Sequence, residues 1–264
     1  MPHLTDGGGR PSHPAGTLTD DGCPGTAAGL RTGLGAPGCA HPLLASAEWN
    51  ALARPGAPLD WVVLDVAHGG PGVRPDPHCL DAAGRLRNAG VRLLGHLDTA
   101  HGARSRVELI ADAHRYLEWY RVDGFLLEHC PADRATLPEV RRTVASLRAL
   151  HRDAHIVLGH GTHPYPGYAE SADQLVTFSG AWHDYRWSQV AEWTAEYPAE
   201  RFCHFVHSVP RGHLEEALRI ARWQGAATIW FTDRTDQGRQ ARPWEGLPGY
   251  WDEIVSRTGK GVSE

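Results

Sequence analysis

The chain has 264 residues, a length that suits one α/β barrel or two smaller domains, with the 41% hydrophobic and 22% charged content of an ordinary globular protein. A net charge of −5 without a basic cluster excludes the electrostatic footprint of nucleic-acid binding. No run approaches the roughly 18 apolar residues that crossing a bilayer requires, so a small molecule is the expected partner, with no nucleic acid and no membrane; oligomeric state is not legible.

Residues 1–37 are rich in Gly, Pro, Thr and Asp and hold too little apolar surface to offset the entropy of ordering, so a disordered tail is expected there. The stretch lacks a basic segment followed by an apolar one, which predicts a cytoplasmic protein rather than a secreted one. From residue 38 short apolar runs bounded by turn residues alternate with segments of helical period. Strands are predicted at 38–43, 60–66, 91–97, 123–128, 154–160, 173–178, 201–207 and 227–232. Helices are predicted over 78–89, 105–120, 138–151, a Trp-rich stretch near 185–196, and 212–224.

In the second of these helices Val107, Ile110, Ala111, His114 and Leu117 share one face, and in the last Leu214, Leu218 and Ile220 are expected to face inward. Ser105 with Glu108 three residues on reads as a capping box. Eight short strands alternating with helices predict a single (β/α)8 TIM-type barrel over 38–258, with 259–264 as a C-terminal tail; an open doubly wound sheet is the alternative. No GxGxxG follows the first strand and GxxxxGK[ST] is absent, so nucleotide-binding folds gain no support.

Histidine is the unusual residue, at 17 copies. His41, His68, His96, His101, His129, His160, His163 and His207 fall at or just beyond predicted strand C-termini, which in a barrel converge on one mouth. Asp65, Asp98, Glu128 and Asp233 fall there as well. Any one strand-end Asp can be a helix cap, and any one His can simply donate to a carbonyl. Gathered in one concavity, they would perturb each other's ionisation as acid–base catalysis requires.

Glu128 ends the apolar run Phe125, Leu126, Leu127, so burial is expected to raise its carboxyl toward a useful range. His129 points to the opposite side if the strand persists. The catalytic candidates are therefore Glu128, Asp65, Asp98, His96 and His129, with His41, His68, His101, His160, His207, Asp233, Trp182 and Trp244 as substrate contacts. Trp61, Trp119 and Trp223 are assigned to the core.

No cofactor is expected. Neither HxH on an early strand nor HExxH on a helix occurs, and His160 and His163 in GHGTH read as a solvated loop rather than a metal site. Five widely spaced cysteines without a CxxC pair read as free, mostly buried thiols.

The segments WVVLDVAHGGPGVRPDP at 61–77, LLGHLDTAHGAR at 93–104, YLEWYRVDGFLLEH at 116–129 and LGHGTHPYPGY at 158–168 resemble the spherulin-4 proteins (spherulation-specific family 4). The resemblance runs from about Cys39 to Arg257 and rests on GPG-x-x-x-DP, on G-x-x-x-T-x-x-G-x-R and on Y-x-x-W-Y…G. It implies a barrel of glycoside-hydrolase type that cleaves alpha-linked N-acetylgalactosamine polymers with strand-end carboxylates. Against that pattern, the adjacent Asp and Glu after the fourth strand are here Glu128 and His129, and a Glu after the sixth strand is Ser179. Asn-Pro-Gly-Thr after the fifth strand reads Gly159, His160, Gly161, Thr162; a third-strand Tyr is His96; Asn-Pro after the second strand is Asp65 and Val66.

Replacing carboxylates by imidazoles moves a site toward general-base work near neutral pH. The expectation is an intracellular barrel enzyme, repurposed for specialised metabolism, that uses strand-end His and carboxylate groups for cyclisation, elimination or isomerisation of a small polar metabolite. Two alternatives stand beside it: a glycoside hydrolase on an amino-sugar glycoside with Glu128 as general acid, and a noncatalytic sugar-binding barrel.

Overall fold

The computed structural model describes residues 31–236 and 243–258. Eight parallel strands close into a barrel in the order β1 to β8: Gly33–Ala36, Leu59–Leu64, Leu93–Asp98, Gly124–Glu128, His155–Gly159, Gln174–Ala181, Phe202–His207 and Thr228–Phe231. Around them lie helices α1 to α7: Ser46–Leu52, Pro77–Asn88, Arg106–Tyr120, Leu137–Leu150, Trp182–Tyr185, Leu214–Trp223 and Trp251–Arg257. The TIM-type expectation is met, and every strand C-terminus opens on the same face.

The first strand is displaced from its expected place. Residues 38–43 form a turn and loop, while Gly33–Ala36, inside the stretch expected to be a tail, pairs with both β2 and β8. Glycine explains the miss. A Cβ at Gly33 would meet the Asp60 carboxyl and one at Gly35 the Trp61 ring, so this strand requires the residues that make it look like a linker. The rest of the expected tail, residues 1–30, lies outside the described residues, as do 259–264.

The capping box at Ser105 and Glu108 is present, and the Asp76 side chain caps α2 by accepting from the amides of His78 and Cys79. The inner face of α3 overlaps the expected stripe only in part, Ile110 and Leu117 being partly buried against the core. Leu109, Ala113, Tyr116 and Tyr120 pack inward, whereas Val107 is 77% exposed and Ala111 and His114 are exposed too. In α6 Leu214 and Leu218 face the core with Ala217 and Ala221, and Ile220 is only partly buried. The Trp-rich stretch makes a single α-turn, α5, and a 3-10 segment at Glu192–Glu196 instead of one helix.

Trp61 is core as expected, but Trp119 is only partly buried and Trp223 is 72% exposed. Cys39, Cys79, Cys130 and Cys203 are free and buried; Cys23 lies outside the described residues. Among the described residues no helix is long and apolar enough to cross a membrane.

Three contacts set the shape of the mouth. Gly95 lets the Tyr116 ring lie against β3, where a Cβ would come within 2.8 Å of it. Buried Asp112 pairs with Arg104 and Arg115, which donate in turn to the carbonyls of Gly69 and Gly72 and so pin the loop after β2. Thr99 donates to the His129 carbonyl at 2.6 Å, tying the loops after β3 and β4 together.

Candidate active site

His96 sits inside β3, 5% exposed, with its ring pointing into the barrel mouth. Its Nε2 donates to Glu128 Oε2 at 2.7 Å across the β3–β4 pair, and its Nδ1 lies 3.4 Å from Asp65 Oδ2, an ion-pair contact too skewed to count as a hydrogen bond. Asp65 follows β2 directly, and its other oxygen accepts from the Gly69 amide at 2.9 Å. Three residues from three strands thus form a line in which one imidazole bridges two carboxyls.

Electrostatics decide its charge. Burial alone would keep His96 neutral, but contacts with Asp65 and Glu128 outweigh that cost and push its pKa up to about 9. For Glu128 and Asp65, burial opposes ionisation, yet the His96 imidazolium, hydrogen-bonded to Glu128 and in ion-pair contact with Asp65, together with the Gly69 amide on Asp65, holds both below their ordinary values. The expectation of a raised Glu128 is therefore corrected. The apolar strand does bury this carboxyl, but it buries it beside a cation.

Asp98 ends β3 and works in a second pair. Its Oδ1 accepts from the Ala100 amide at 2.8 Å and from His129 Nδ1 at 2.9 Å, and these contacts outweigh partial burial to hold the carboxyl low. The expected orientation of His129 is also corrected. β4 stops at Glu128, and His129 enters the left-handed region with φ 51, which turns its ring back to line the same cavity as Glu128. His101 stands beside it, ring centroids 5.0 Å apart.

Left-handed backbone recurs at this end of the barrel. His68, Ala100, His101, His129 and Ser208 have φ of 51, 49, 55, 51 and 59, all in loops that leave strand C-termini. Each such residue costs about 1–3 kcal/mol and persists only where its surroundings enforce it, and such strain gathers at functional sites.

Two cavities meet in the mouth. One, of about 240 Å³, is lined by His41, Asp65, His68, His96, Glu128 and Trp244 among others; the second, of about 330 Å³, by His101, Glu128, His129, His160, Ser179 and Trp244 among others. Glu128 and Trp244 form the wall between them. His160 donates from Nδ1 to the Cys130 carbonyl at 3.2 Å, and burial holds its pKa down to about 4, so the ring is neutral. Its buried Nε2 has no partner and is an acceptor waiting for a donor.

The remaining substrate-contact candidates divide. His41 lines the first cavity but is engaged by Asp76 and Cys79, and His68 stands exposed 4.0 Å from Asp65. His207 is buried at the end of β7, its ring edge-on to Trp244 at 5.8 Å. His163 packs edge-on to Trp193, away from both cavities.

Two candidates are displaced from the cleft. Asp233 is exposed and ties down the Gly249 amide, the ordinary job of a strand-end Asp, and Trp182, at the start of α5, is buried against Tyr185 and His213 and lines neither cavity. Cys39 and Glu245 also line the first cavity, and sequence reasoning misses them because nothing in the periodicity of their loops marks them.

A closed parallel barrel with a carboxylate–imidazole–carboxylate line at its strand ends defines the class, a TIM-type α/β barrel with a titratable cluster in its mouth. The chain belongs to spherulation-specific family 4, whose profile matches residues 40–258. Sph3 from Aspergillus clavatus, solved in complex with GalNAc, is similar with a TM-score of 0.72 at 22% identity, over 87% of this chain and 98% of that one. The exo-beta-1,4-mannosidase Op5Man5 from Opitutaceae bacterium strain TAV5 gives a TM-score of 0.52 at 12% identity, over 88% of this chain and 61% of that one. No curated protein matches the chain in sequence.

Proposed function

We propose that the protein is a barrel enzyme performing acid–base chemistry, an isomerisation, elimination or cyclisation, on a small polyhydroxylated metabolite, with Glu128 as the base. The observation that carries this reading is the pairing of His96 with Glu128 at 2.7 Å. It leaves an ionised carboxylate facing the cleft and a stored proton directly behind it. A positioned carboxylate of this kind contributes about 10²–10⁴-fold when it takes a substrate proton. His129, oriented by Asp98, offers a second proton carrier in the same cavity, and His160 Nε2 accepts from a substrate hydroxyl or amine.

Proton transfer to and from carbon leaves an isotopic trace whatever the net reaction. The protein is incubated in D2O with a panel of small ketoses, aldoses and amino sugars, and carbon-bound deuterium is followed by NMR. Exchange or turnover is expected for a subset of the panel, falling at least ~100-fold in Glu128→Gln. Wild-type protein no faster than that variant across the panel would overturn the reading.

One observation favours a second reading, glycoside hydrolysis: Glu128 and Trp244 stand between two cavities, so a linkage could lie across Glu128 with a ring on either side. Sph3, solved in complex with GalNAc, and the shared family point the same way. With His96 between them, Asp65 and Glu128 fall within the ~5–10 Å that glycosidase pairs span. That chemistry also needs a protonated acid, and both of these carboxyls are held ionised. Release of reducing ends from amino-sugar oligomers, lost in Glu128→Gln, would replace the first reading with this one.

A further inference from the structure

Outside the Glu128 line, one residue that lines the first cavity, His41, belongs to a cluster of unlike donors whose other two members, Asp76 and Cys79, do not line it. His41, in the loop after β1, brings Nε2 to 3.3 Å from Asp76 Oδ1 and 3.6 Å from Cys79 Sγ, and the three donor atoms lie within 4.8 Å of one another. Asp76 caps α2 and Cys79 lies in its first turn, so the cluster joins two segments distant in sequence.

A histidine, a carboxylate and a thiol can make a nucleophilic relay, which needs the carboxylate on one ring nitrogen and the thiol on the other. Here both meet the same nitrogen. A single proton at Nε2 can serve only one of them, and burial pushes the Cys79 thiol up to about 12, which removes it as a nucleophile. Three different donors arranged about a common point is instead the geometry of a cation site.

The distances fit one kind of ion. Bonds of ~2.0–2.2 Å to nitrogen and oxygen and ~2.3 Å to sulfur, set at tetrahedral angles, give N···O and N···S edges of about 3.3 and 3.6 Å. The two separations from His41 Nε2 are 3.3 and 3.6 Å, and the Asp76 and Cys79 donor atoms lie within 4.8 Å of each other. Thiolate with imidazole selects zinc over magnesium or calcium, and two anionic ligands cancel its charge, which stabilises a thiolate that burial otherwise opposes.

We infer that His41, Asp76 and Cys79 form a three-ligand zinc site that clips the loop after β1 to the start of α2 and fixes one wall of the first cavity. The fourth position is left for water or ligand. Zinc on Nε2 places the ring proton on Nδ1, so the 3.3 Å contact that the Leu43 amide makes there is given up on loading. The inference is independent of the proton chemistry assigned to Glu128.

The full chain, stripped with a chelator, is titrated with zinc alone by calorimetry and separately with cobalt(II) by absorption spectroscopy. Expected are one zinc per chain, a proton released from Cys79 on binding, and a tetrahedral cobalt spectrum with a thiolate charge-transfer band. Zinc at 100 times its Kd should raise Tm by about 5 °C or more.

Cys79→Ser and His41→Ala should each lose more than the ~10–100-fold in affinity that outer-shell changes cost. Asp76→Asn keeps a capping oxygen for the α2 amides, so it weakens zinc while circular dichroism and metal-free Tm hold. Cys130→Ser should leave uptake unchanged. Absence of binding at tens of micromolar zinc, a cobalt spectrum without the thiolate band, or uptake indifferent to Cys79→Ser and His41→Ala would each overturn the site.

Discussion

His96 carries the ionisation state of the whole mouth, and the sign of its effect on stability follows from its neighbours. Its folded pKa of about 9 lies above the ordinary ~6.5, so its contribution is present in full below pH 6.5 and is lost as pH rises through 9. Asp65 and Glu128 are shifted the other way, so theirs is present above their unfolded values near ~4 and lost as pH falls through the lower folded ones. These are two views of the same contacts. Stability from these contacts should therefore be greatest between about pH 5 and 6.5, decline from pH 6.5 to 9 and level off above it, and Glu128→Gln should flatten that decline. Urea midpoints at pH 7 and pH 10, with NMR titration of the His96 ring, check this; a ring that titrates near 6.5 would refute it.

At the scale of the element, periodicity and packing disagree about α3. The stripe through Val107, Ala111 and His114 is helical in spacing, yet the helix turns Leu109, Ala113, Tyr116 and Tyr120 to the barrel. Leu109→Ala should cost about 2–5 kcal/mol and Val107→Ser no more than about 0.5 kcal/mol, read as shifts in urea midpoint. The helix itself is legible from Ser105 and Glu108. Its orientation is not, because Tyr116 is selected by the gap at Gly95, and that gap exists only once β3 and α3 are packed.

The same holds for the motifs that carry the family resemblance. Gly95, Thr99, Arg104, Asp76 and Tyr120 turn out to brace the mouth: Thr99 binds the His129 carbonyl, Arg104 the Gly69 carbonyl, and Tyr120 accepts from the Asp76 amide at 2.9 Å. Convergence of Asp65, His96 and Glu128 can be read from eight strand ends. Their charges cannot, since a buried carboxyl alone and a buried carboxyl beside an imidazole shift in opposite directions. His129 depends on one backbone angle that no side chain announces.

For the molecule as a whole, closure depends on its least conspicuous strand. β1 pairs with β2 on one side and β8 on the other, so removing it exposes two unpaired edges and the apolar interior between them. A chain starting at Gly38 should fail to fold or should aggregate, while one starting at Arg31 retains every described strand; circular dichroism and gel filtration separate the outcomes. A folded, monomeric protein starting at Gly38 would mean that another segment can stand in for β1.

Neither cavity has a lysine or arginine among its described lining residues, whereas Asp65 and Glu128, both held ionised, face the His96 imidazolium there. Among the described residues the cleft lining thus offers no counterion for a phosphate, sulfate or uronate. Selection by charge follows: among ligands of equal size a protonated amine is drawn in, a neutral polyol tolerated, and a phosphate ester turned away. Competition among glucosamine, glucose and glucose 6-phosphate should give that ranking, and tightest binding by the phosphate would contradict it.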